Sequence, residues 1–154
     1  MRFCSIASGS SGNCIYVGSD NTHVLVDIGI SGKKMETGLN SLELTGRDLD
    51  GILITHEHSD HIKGLGVISR KYGIPIYATA GTVDAMVRTN ALGKIPEGIF
   101  HEIQEDEPFM INDLKVNPFT IPHDAAQPVG YRLEHEGHSV GIATDLGKYN
   151  DYII

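Results

Sequence analysis

A short apolar segment, Gly51 to Thr55, runs directly into six polar residues, His56-Glu57-His58-Ser59-Asp60-His61. The apolar run is typical of a strand that is buried on both faces of a sheet. Packing alone does not explain three imidazoles and two carboxylates at the end of such a strand, because burying them without partners is costly. The segment therefore favours a fold in which a buried strand presents metal ligands at its carboxyl end.

The spacing within this segment divides the candidate ligands into two groups. In an extended chain, His56 and His58 point to the same side because they are two residues apart. Asp60 and His61 fall in the first turn of the next predicted helix, which continues to Gly73, and they face a second point. One segment can thus supply ligands to two metal ions, and nitrogen and oxygen donors without cysteine suit Zn²⁺, Mn²⁺ or iron.

Three further residues of the same chemical types follow apolar runs elsewhere in the chain, namely Asp27, His123 and Asp145. Each of them alone is equally compatible with a turn residue or a helix cap. Together with the histidine-rich segment they indicate a site at one edge of the sheets, where several strands end.

The order of predicted elements changes near the middle of the chain. The first part alternates strands and helices: a hairpin around the small-residue loop Ser8 to Asn13, a strand from His23 to Ile28, a helix capped by Ser31, and further strands and helices up to Leu92. From about Ile99, strands joined by tight turns predict a β-meander. We therefore predict an α/β fold in which helices cover sheets.

The composition of the chain is that of one folded domain, with 154 residues of which 40% are hydrophobic and 21% charged. No apolar run reaches the roughly 20 residues that span a bilayer, and the N-terminus lacks the features of a secretory signal. We expect a cytoplasmic protein without membrane contact. Cys4 and Cys14 are too few for a disulfide scaffold and are expected to be thiols.

The net charge of −8 excludes a broad basic footprint for nucleic acid. Two divalent ions would add about four positive charges at the site and reverse the local field, so the net charge does not exclude a phosphodiester substrate. Five basic residues are expected to be solvated helix faces rather than a DNA track: Lys33, Lys34, Lys63, Arg70 and Lys71.

The ordered set of candidate residues resembles that of the metallo-β-lactamase-fold hydrolases: Asp27, then His56, His58, Asp60 and His61, then His123, then Asp145. The resemblance implies an αββα sandwich of the metallo-β-lactamase type with two divalent transition metal ions, Zn, Mn or Fe, as cofactors. It implies one metal site from the following residues: His56, His58 and His123. Asp60 and His61 would form the second site, with Asp145 bridging the two ions.

Two carboxylates take further roles by the same resemblance. Asp27 is implied to orient the ligands rather than to bind metal. Asp60 is implied to orient a metal-bridging hydroxide that attacks the substrate, which makes it the candidate catalytic residue.

A narrower resemblance is carried by Ser8 to Cys14 and by His61 to Leu65, which look like the small bacterial subfamily of YycJ/WalJ type. That subfamily is associated with DNA exonuclease activity, so the resemblance implies phosphodiester cleavage with DNA as the partner. Ser10, Ser11 and Asn13 of the small-residue loop are candidate substrate contacts through their polar groups.

One departure from the family concerns the last metal ligand. The family has a further ligating histidine in its C-terminal part, whereas no histidine follows His138, and the chain ends on the apolar stretch Tyr152 to Ile154. We therefore expect that residues 1–154 are the N-terminal part of a longer domain. An incomplete sandwich is expected to expose an apolar face and to self-associate.

Three alternative functions remain to be weighed. A thioester or lactone hydrolase of the same fold stays open, because the same hydroxide can attack a carbonyl carbon. A di-iron oxidase is disfavoured, because that class has H-x-E where this chain has His56-Glu57-His58. A non-catalytic domain is disfavoured because every ligand position up to Asp145 is filled.

Overall fold

The computed structural model describes residues 1–9, 11–122, 125–145 and 148–153, and the side chains of residues 1–9, 11–122 and 125–143. Within these ranges the chain forms a six-stranded sheet with the order β1 (Arg2–Ala7), β2 (Cys14–Gly18), β3 (His23–Val26), β4 (Gly51–Leu53), β5 (Ile76–Thr79) and β6 (Phe100–Ile103). A five-stranded sheet with the order β11-β10-β9-β8-β7 is formed by β7 (Phe109–Ile111), β8 (Leu114–Thr120), β9 (Val129–His135), β10 (His138–Asp145) and β11 (Lys148–Ile153).

The helices connect the parallel strands of the first sheet. They are α1 (Gly32–Ser41), α2 (Ser59–Ile62), α3 (Leu65–Tyr72) and α4 (Ala80–Arg88), with a short 3-10 turn at Gly46–Asp48. Strands β3 to β6 run parallel and need such crossovers, whereas β1 to β3 and the whole second sheet are antiparallel. The carboxyl ends of β3, β4 and β5 therefore meet at one edge, which we call the carboxyl edge.

Two apolar cores hold the layers together, and β2 contributes to both. Cys14 and Tyr16 face the helices, while Ile15 and Val17 face the second sheet. This is the alternation expected of a strand with both faces buried, and each fully buried large side chain contributes about 1.5–3 kcal/mol. The predicted α/β sandwich, with helices packed on one sheet and a second sheet behind it, is confirmed.

The predicted helix from Asp60 to Gly73 is wrong in one respect, because it is two helices, α2 and α3, separated at Gly64. The N–H of Gly64 donates to the carbonyl of Ile28 at 2.8 Å, and a Cβ at this position would lie 2.2 Å from the carbonyl oxygen of Ile30. The close approach of these two backbones interrupts the helix.

The predicted start of the meander near Ile99 is also corrected, because β6 pairs in parallel with β5 of the first sheet.

The expected apolar face is not tested, because the side chains of residues 144–154 are not described, but charged side chains lie on the described outer face of the second sheet. The outer face of the second sheet carries Lys115, Arg132 and Glu134, with Arg132 Nε 3.2 Å from Glu134 Oε1 and Lys115 Nζ 3.9 Å from Glu134 Oε2. Met110 is the large apolar side chain that is exposed there. In β9, Arg132 and Glu134 alternate with the buried residues Tyr131 and Leu133. Self-association stays a prediction.

The cysteines are both unpaired, as predicted: Cys14 is buried and Cys4 half-buried. Burial, with smaller contributions from Asp27 and Cys4, raises the pKa of the Cys14 thiol well above its ordinary range, which keeps it protonated and unreactive. In the part of the chain that the structure describes, no helix is both long and apolar enough to cross a membrane.

Candidate metal centre

The histidine-rich segment lies at the carboxyl edge, as the sequence predicted. After β4, His58 has an extended backbone and occupies the position just before α2, so that Asp60 and His61 fall in the first turn of that helix. The ring of His56 lies 4.8 Å from the ring of His58 and 3.9 Å from the ring of His61, measured between ring centroids. One segment thus brings three imidazoles together.

Asp27 lies beneath this cluster with 1% of its surface exposed. Its left-handed φ of 64° turns the chain at the end of β3, a conformation that Asp tolerates better than most residues. Its Oδ1 accepts a hydrogen bond from the Thr55 N–H at 2.8 Å, and its Oδ2 accepts from the Thr55 hydroxyl at 2.7 Å and from His61 Nδ1 at 2.6 Å. These hydrogen bonds compensate for burying the carboxylate.

The same hydrogen bonds assign the protons of two imidazole rings. His61 donates from Nδ1 to Asp27, so in the neutral ring Nε2 is the nitrogen without a proton. The Thr55 hydroxyl gives its proton to Asp27 and can therefore accept from Nδ1 of His56, which is 3.0 Å away. Both rings are then in the tautomer that binds a metal through Nε2, an arrangement typical of ligating histidines.

The electrostatic surroundings of His61 favour a positive charge. Burial by itself lowers the pKa of His61. The Asp27 carboxylate, which accepts its hydrogen bond, raises this pKa, and so does the Asp60 carboxylate. The net pKa of His61 lies above the ordinary 6.5. A divalent cation has the charge that these carboxylates attract.

Asn13, from the loop between β1 and β2, is turned inward with 2% of its surface exposed. Its backbone N–H donates to the carbonyl of Asp60 at 2.8 Å. Its side-chain Nδ2 donates to the same carbonyl at 3.1 Å and lies 3.3 Å from His61 Nε2. The structure thus places Asn13 against two candidate ligands, while Ser11 is exposed on the same loop and Ser10 lies outside the described residues.

The candidate ligands are only partly within the described structure. His123 lies outside the described residues, and Asp145 ends β10 with a side chain that is not described. Among the described side chains, no three His, Cys, Asp or Glu residues converge closely enough to hold an ion by themselves. The donors that are described, imidazole Nε2 atoms beside the half-buried Asp60 carboxylate, have the chemistry that divalent transition metals require.

The sequence did not single out Thr55 or Gln127 as functional residues. Thr55 links Asp27 to His56, and its polar side chain at the end of an apolar strand was a usable signal. Gln127 is held at the carboxyl edge: its carbonyl accepts from the Thr79 hydroxyl at 2.8 Å, and its Oε1 accepts from the Gly81 N–H at 2.8 Å. No local pattern could have indicated Gln127, because its partners are 22 to 48 residues away in sequence.

Glu57 and Gln127 both fix the chain shortly after His123. The Oε2 of Glu57 accepts from the Ala126 N–H at 3.0 Å, and Gln127 Nε2 donates to Glu105 Oε1 at 2.6 Å. The segment that follows the candidate ligand His123 is therefore tied to the segment that carries the other histidines.

Replacing Asp27 with alanine is expected to lower the free energy of unfolding by about 3 kcal/mol, because it removes the buried carboxylate that accepts hydrogen bonds from the Thr55 N–H, the Thr55 hydroxyl and His61 Nδ1. Metal affinity is expected to fall by about 10- to 100-fold, since the orientation of His61 is lost. Urea unfolding and metal titration measure both effects. The matched control is Asp84→Ala, whose ion pair with Arg88 is exposed and is expected to contribute under about 0.5 kcal/mol.

Replacing Gly29 with alanine is expected to distort the segment that carries Asp60. A Cβ at this position would lie 1.7 Å from the carbonyl oxygen of Asp60, which is backbone and cannot move aside cheaply. We expect a loss of about 3 kcal/mol in thermal or urea unfolding. Gly32→Ala is the control, because its Cβ would meet side-chain methyl groups at 3.2–3.3 Å, and a loss equal to that of Gly29→Ala would contradict the interpretation.

Comparison with known proteins gives the family and two sets of relatives. Residues 22–154 match the Beta-lactamase superfamily domain. The chain is 42% identical over 151 residues to exodeoxyribonuclease YycJ of Bacillus anthracis and 40% identical to exodeoxyribonuclease WalJ of Streptococcus pneumoniae. Each match covers 98% of this chain and 56% of the relative, so the chain spans a little over half the length of these relatives.

Solved structures share the fold at low sequence identity. A metallo-β-lactamase from Cronobacter sakazakii superimposes with a TM-score of 0.74 over 93% of this chain and 58% of that protein, at 16% identity. The subclass B3 metallo-β-lactamase MEM-A1, from a soil metagenome library, gives a TM-score of 0.67 over 99% of this chain and 62% of that protein, at 19% identity. The predicted metallo-β-lactamase fold and the resemblance to YycJ/WalJ-type proteins are confirmed.

Proposed function

This chain belongs to the beta-lactamase superfamily, and from that premise we propose that the whole protein is a metal-dependent hydrolase that degrades DNA as an exonuclease. The hydrolase assignment is supported above all by the buried Asp27 carboxylate. Its hydrogen bonds favour the metal-binding tautomer of His61 directly and that of His56 through Thr55. The similarity to exodeoxyribonucleases supports DNA as the substrate.

Two groups of side chains would hold two divalent transition metal ions, Zn, Mn or Fe. We assign to the first ion His56, His58 and His123. Asp60 and His61 are assigned to the second, with Asp145 shared between the two ions. When bound, such ions acidify water so that hydroxide is available near neutral pH, and they offset the negative charge of the transferring phosphoryl group.

Asp60 is the residue that we assign to orienting the nucleophile. Its side chain is 25% exposed, so it faces solvent while its Oδ2 lies 3.5 Å from His61 Nε2. A carboxylate in this position can accept a hydrogen bond from the attacking water and direct it in line with the scissile bond. The backbone N–H and the side-chain amide of Asn13 both donate to the carbonyl of Asp60 and so hold its backbone in place.

The substrate would approach across the loop between β1 and β2. We assign Ser10 and Ser11 to contacts with phosphate oxygens. For Asn13 we favour positioning of Asp60 over direct substrate contact, because its amide is buried and donates to the Asp60 carbonyl.

Two further assignments concern the whole protein. We place it in the cytoplasm, since unpaired Cys4 and Cys14 suit a reducing compartment. Residues 1–154 are proposed to form the N-terminal part of one domain, because they span a little over half of the related exodeoxyribonucleases.

The test is an assay of the whole protein on end-labelled single- and double-stranded DNA with Mn²⁺ or Zn²⁺, run beside a panel of thioesters and lactones. We expect metal-dependent release of nucleotides from DNA ends and no comparable turnover of the panel. Intact DNA together with turnover of a thioester or lactone would overturn the nuclease and leave a hydrolase of the same fold.

A further inference from the structure

A cationic surface lies beside the candidate metal centre and consists of Lys33, Lys34 and Lys63, whose side chains are all exposed. Lys33 and Lys34 stand in the first turn of α1, which is capped by Ser31. Lys63 directly follows α2, the helix that carries Asp60. The three lysines therefore belong to two backbone segments that adjoin Asp60, since Lys63 follows it by three residues and a Cβ on Gly29, just before α1, would lie 1.7 Å from its carbonyl oxygen.

The two segments are in direct contact. A Cβ on Gly64 would lie 2.2 Å from the carbonyl oxygen of Ile30 and 3.2 Å from the amide nitrogen of Gly32. Lys63 precedes Gly64 and Lys33 follows Gly32, so the lysines are attached to neighbouring stretches of backbone. We therefore treat them as one surface rather than as separate charges on two helices.

These lysines differ from the other basic residues of the same region. Lys71 forms an ion pair with Glu36 at 2.7 Å, and Arg70 donates to the carbonyl oxygens of Leu92 and Lys94 at 2.6 and 2.8 Å. Lys71 and Arg70 therefore already have partners within the folded chain.

The cationic surface itself is not neutralised within the protein. No carboxylate of the described residues lies within 4.0 Å of the ammonium groups of Lys33, Lys34 or Lys63. Adjoining like charges repel one another, although the chain has a net charge of −8 and so an excess of acidic groups. An anionic partner that bridges the ammonium groups would relieve this repulsion.

We propose that this surface binds the phosphodiester backbone of a single DNA strand, next to the phosphate that is cleaved. The inference rests on the proposed nuclease function, adds the surface that holds the strand, and replaces the expectation that Lys33, Lys34 and Lys63 are only solvated helix faces. Lysine ammonium groups neutralise phosphates without reading base edges, so the contact is independent of sequence, as degradation of arbitrary DNA requires. The N-terminal end of α1 adds partial positive charge to the same surface.

The experiment compares two triple variants of the whole protein. The first is Lys33→Gln/Lys34→Gln/Lys63→Gln. The matched control, Arg88→Gln/Lys94→Gln/Lys115→Gln, removes the same charge from exposed positions elsewhere. Binding to a fluorescent, cleavage-resistant phosphorothioate 12-mer is measured over a series of salt concentrations. Turnover of bis(4-nitrophenyl) phosphate, which contains one phosphodiester and no neighbouring phosphates, is measured in parallel.

We expect the first variant to bind the 12-mer about 10- to 100-fold more weakly near 0.1 M salt, with a salt slope smaller by about 2 because three contacts to a single strand are lost. Its turnover of the single phosphodiester should stay within about twofold of the wild type, because the metal ligands are intact. The control variant should match the wild type in both measurements.

Three results would overturn the proposal. If the first variant binds the 12-mer as tightly as the wild type while the wild type degrades DNA, the lysines do not bind the strand and the proposed nuclease function is unaffected. An equal loss on bis(4-nitrophenyl) phosphate would place the lysines at the reacting centre instead. If the wild type neither binds nor cleaves DNA, the proposed function fails and the surface fails with it.

Discussion

Replacing Asp60 with alanine is expected to lower the rate of DNA degradation by the whole protein by about 1,000-fold or more. By our assignment, the substitution removes a ligand of the second ion and the carboxylate that orients the nucleophile. Charge stabilisation by a metal ion is worth several kcal/mol, and about 4 kcal/mol corresponds to three orders of magnitude in rate. The measurement is the initial rate of nucleotide release from end-labelled DNA at saturating Mn²⁺.

The fold should tolerate this substitution, because the Asp60 side chain is 25% exposed and its contacts with Asn13 Nδ2 and His61 Nε2 are both long, at 3.5 Å. We expect a change of less than about 1 kcal/mol in the free energy of unfolding. Asp84→Ala is the matched control, since it removes a carboxylate from an exposed position of α4 and should retain full activity. An Asp60→Ala variant with more than about a tenth of wild-type activity would exclude the role assigned to this residue.

Replacing His56 with alanine is expected to remove the most tightly held metal ion. His56 is buried at 1% exposure and, by our assignment, shares its ion with His58 and His123, so its loss leaves two protein ligands. Elemental analysis after dialysis should find about one tightly held transition metal in the 154-residue chain, because these three histidines are all present in it. The His56→Ala variant should contain none.

Two controls separate loss of metal from loss of fold. His135→Ala changes a histidine that contacts Asp113 at the opposite end of the strands, and it should keep the metal. His56→Gln retains most of the buried volume and should also lose the metal. Metal retained in both His56 variants, or absent from the wild-type chain, would contradict the assignment of the first site.

Local sequence patterns were sufficient where ligands follow directly after buried strands. Short apolar runs located β2 and β3, and the spacing of His56, His58, Asp60 and His61 placed two rings on an extended segment and two ligands in a helical turn. These features depend on neighbours within a few residues, so a single sequence contains the information needed to predict them.

Features that depend on distant contacts could not be predicted in the same way. The helix interruption at Gly64 arises because another backbone segment, Ile28 to Ile30, approaches it. Asn13 was expected to face substrate because it stands in a polar loop, yet its amide is buried against Asp60, 47 residues away in sequence. Thr55 likewise meets Asp27 only after β3 and β4 have paired.

The measurement that tests the account most directly is anomalous X-ray diffraction from crystals of the whole protein, recorded at the absorption edge of the metal that elemental analysis identifies. We expect two peaks about 3.5–4 Å apart. One should lie within about 2.0–2.2 Å of Nε2 of His56, and the other at the same distance from Nε2 of His61. Peaks away from these histidines, or none in a protein that still degrades DNA, would contradict a metal-dependent centre built on the segment that follows β4.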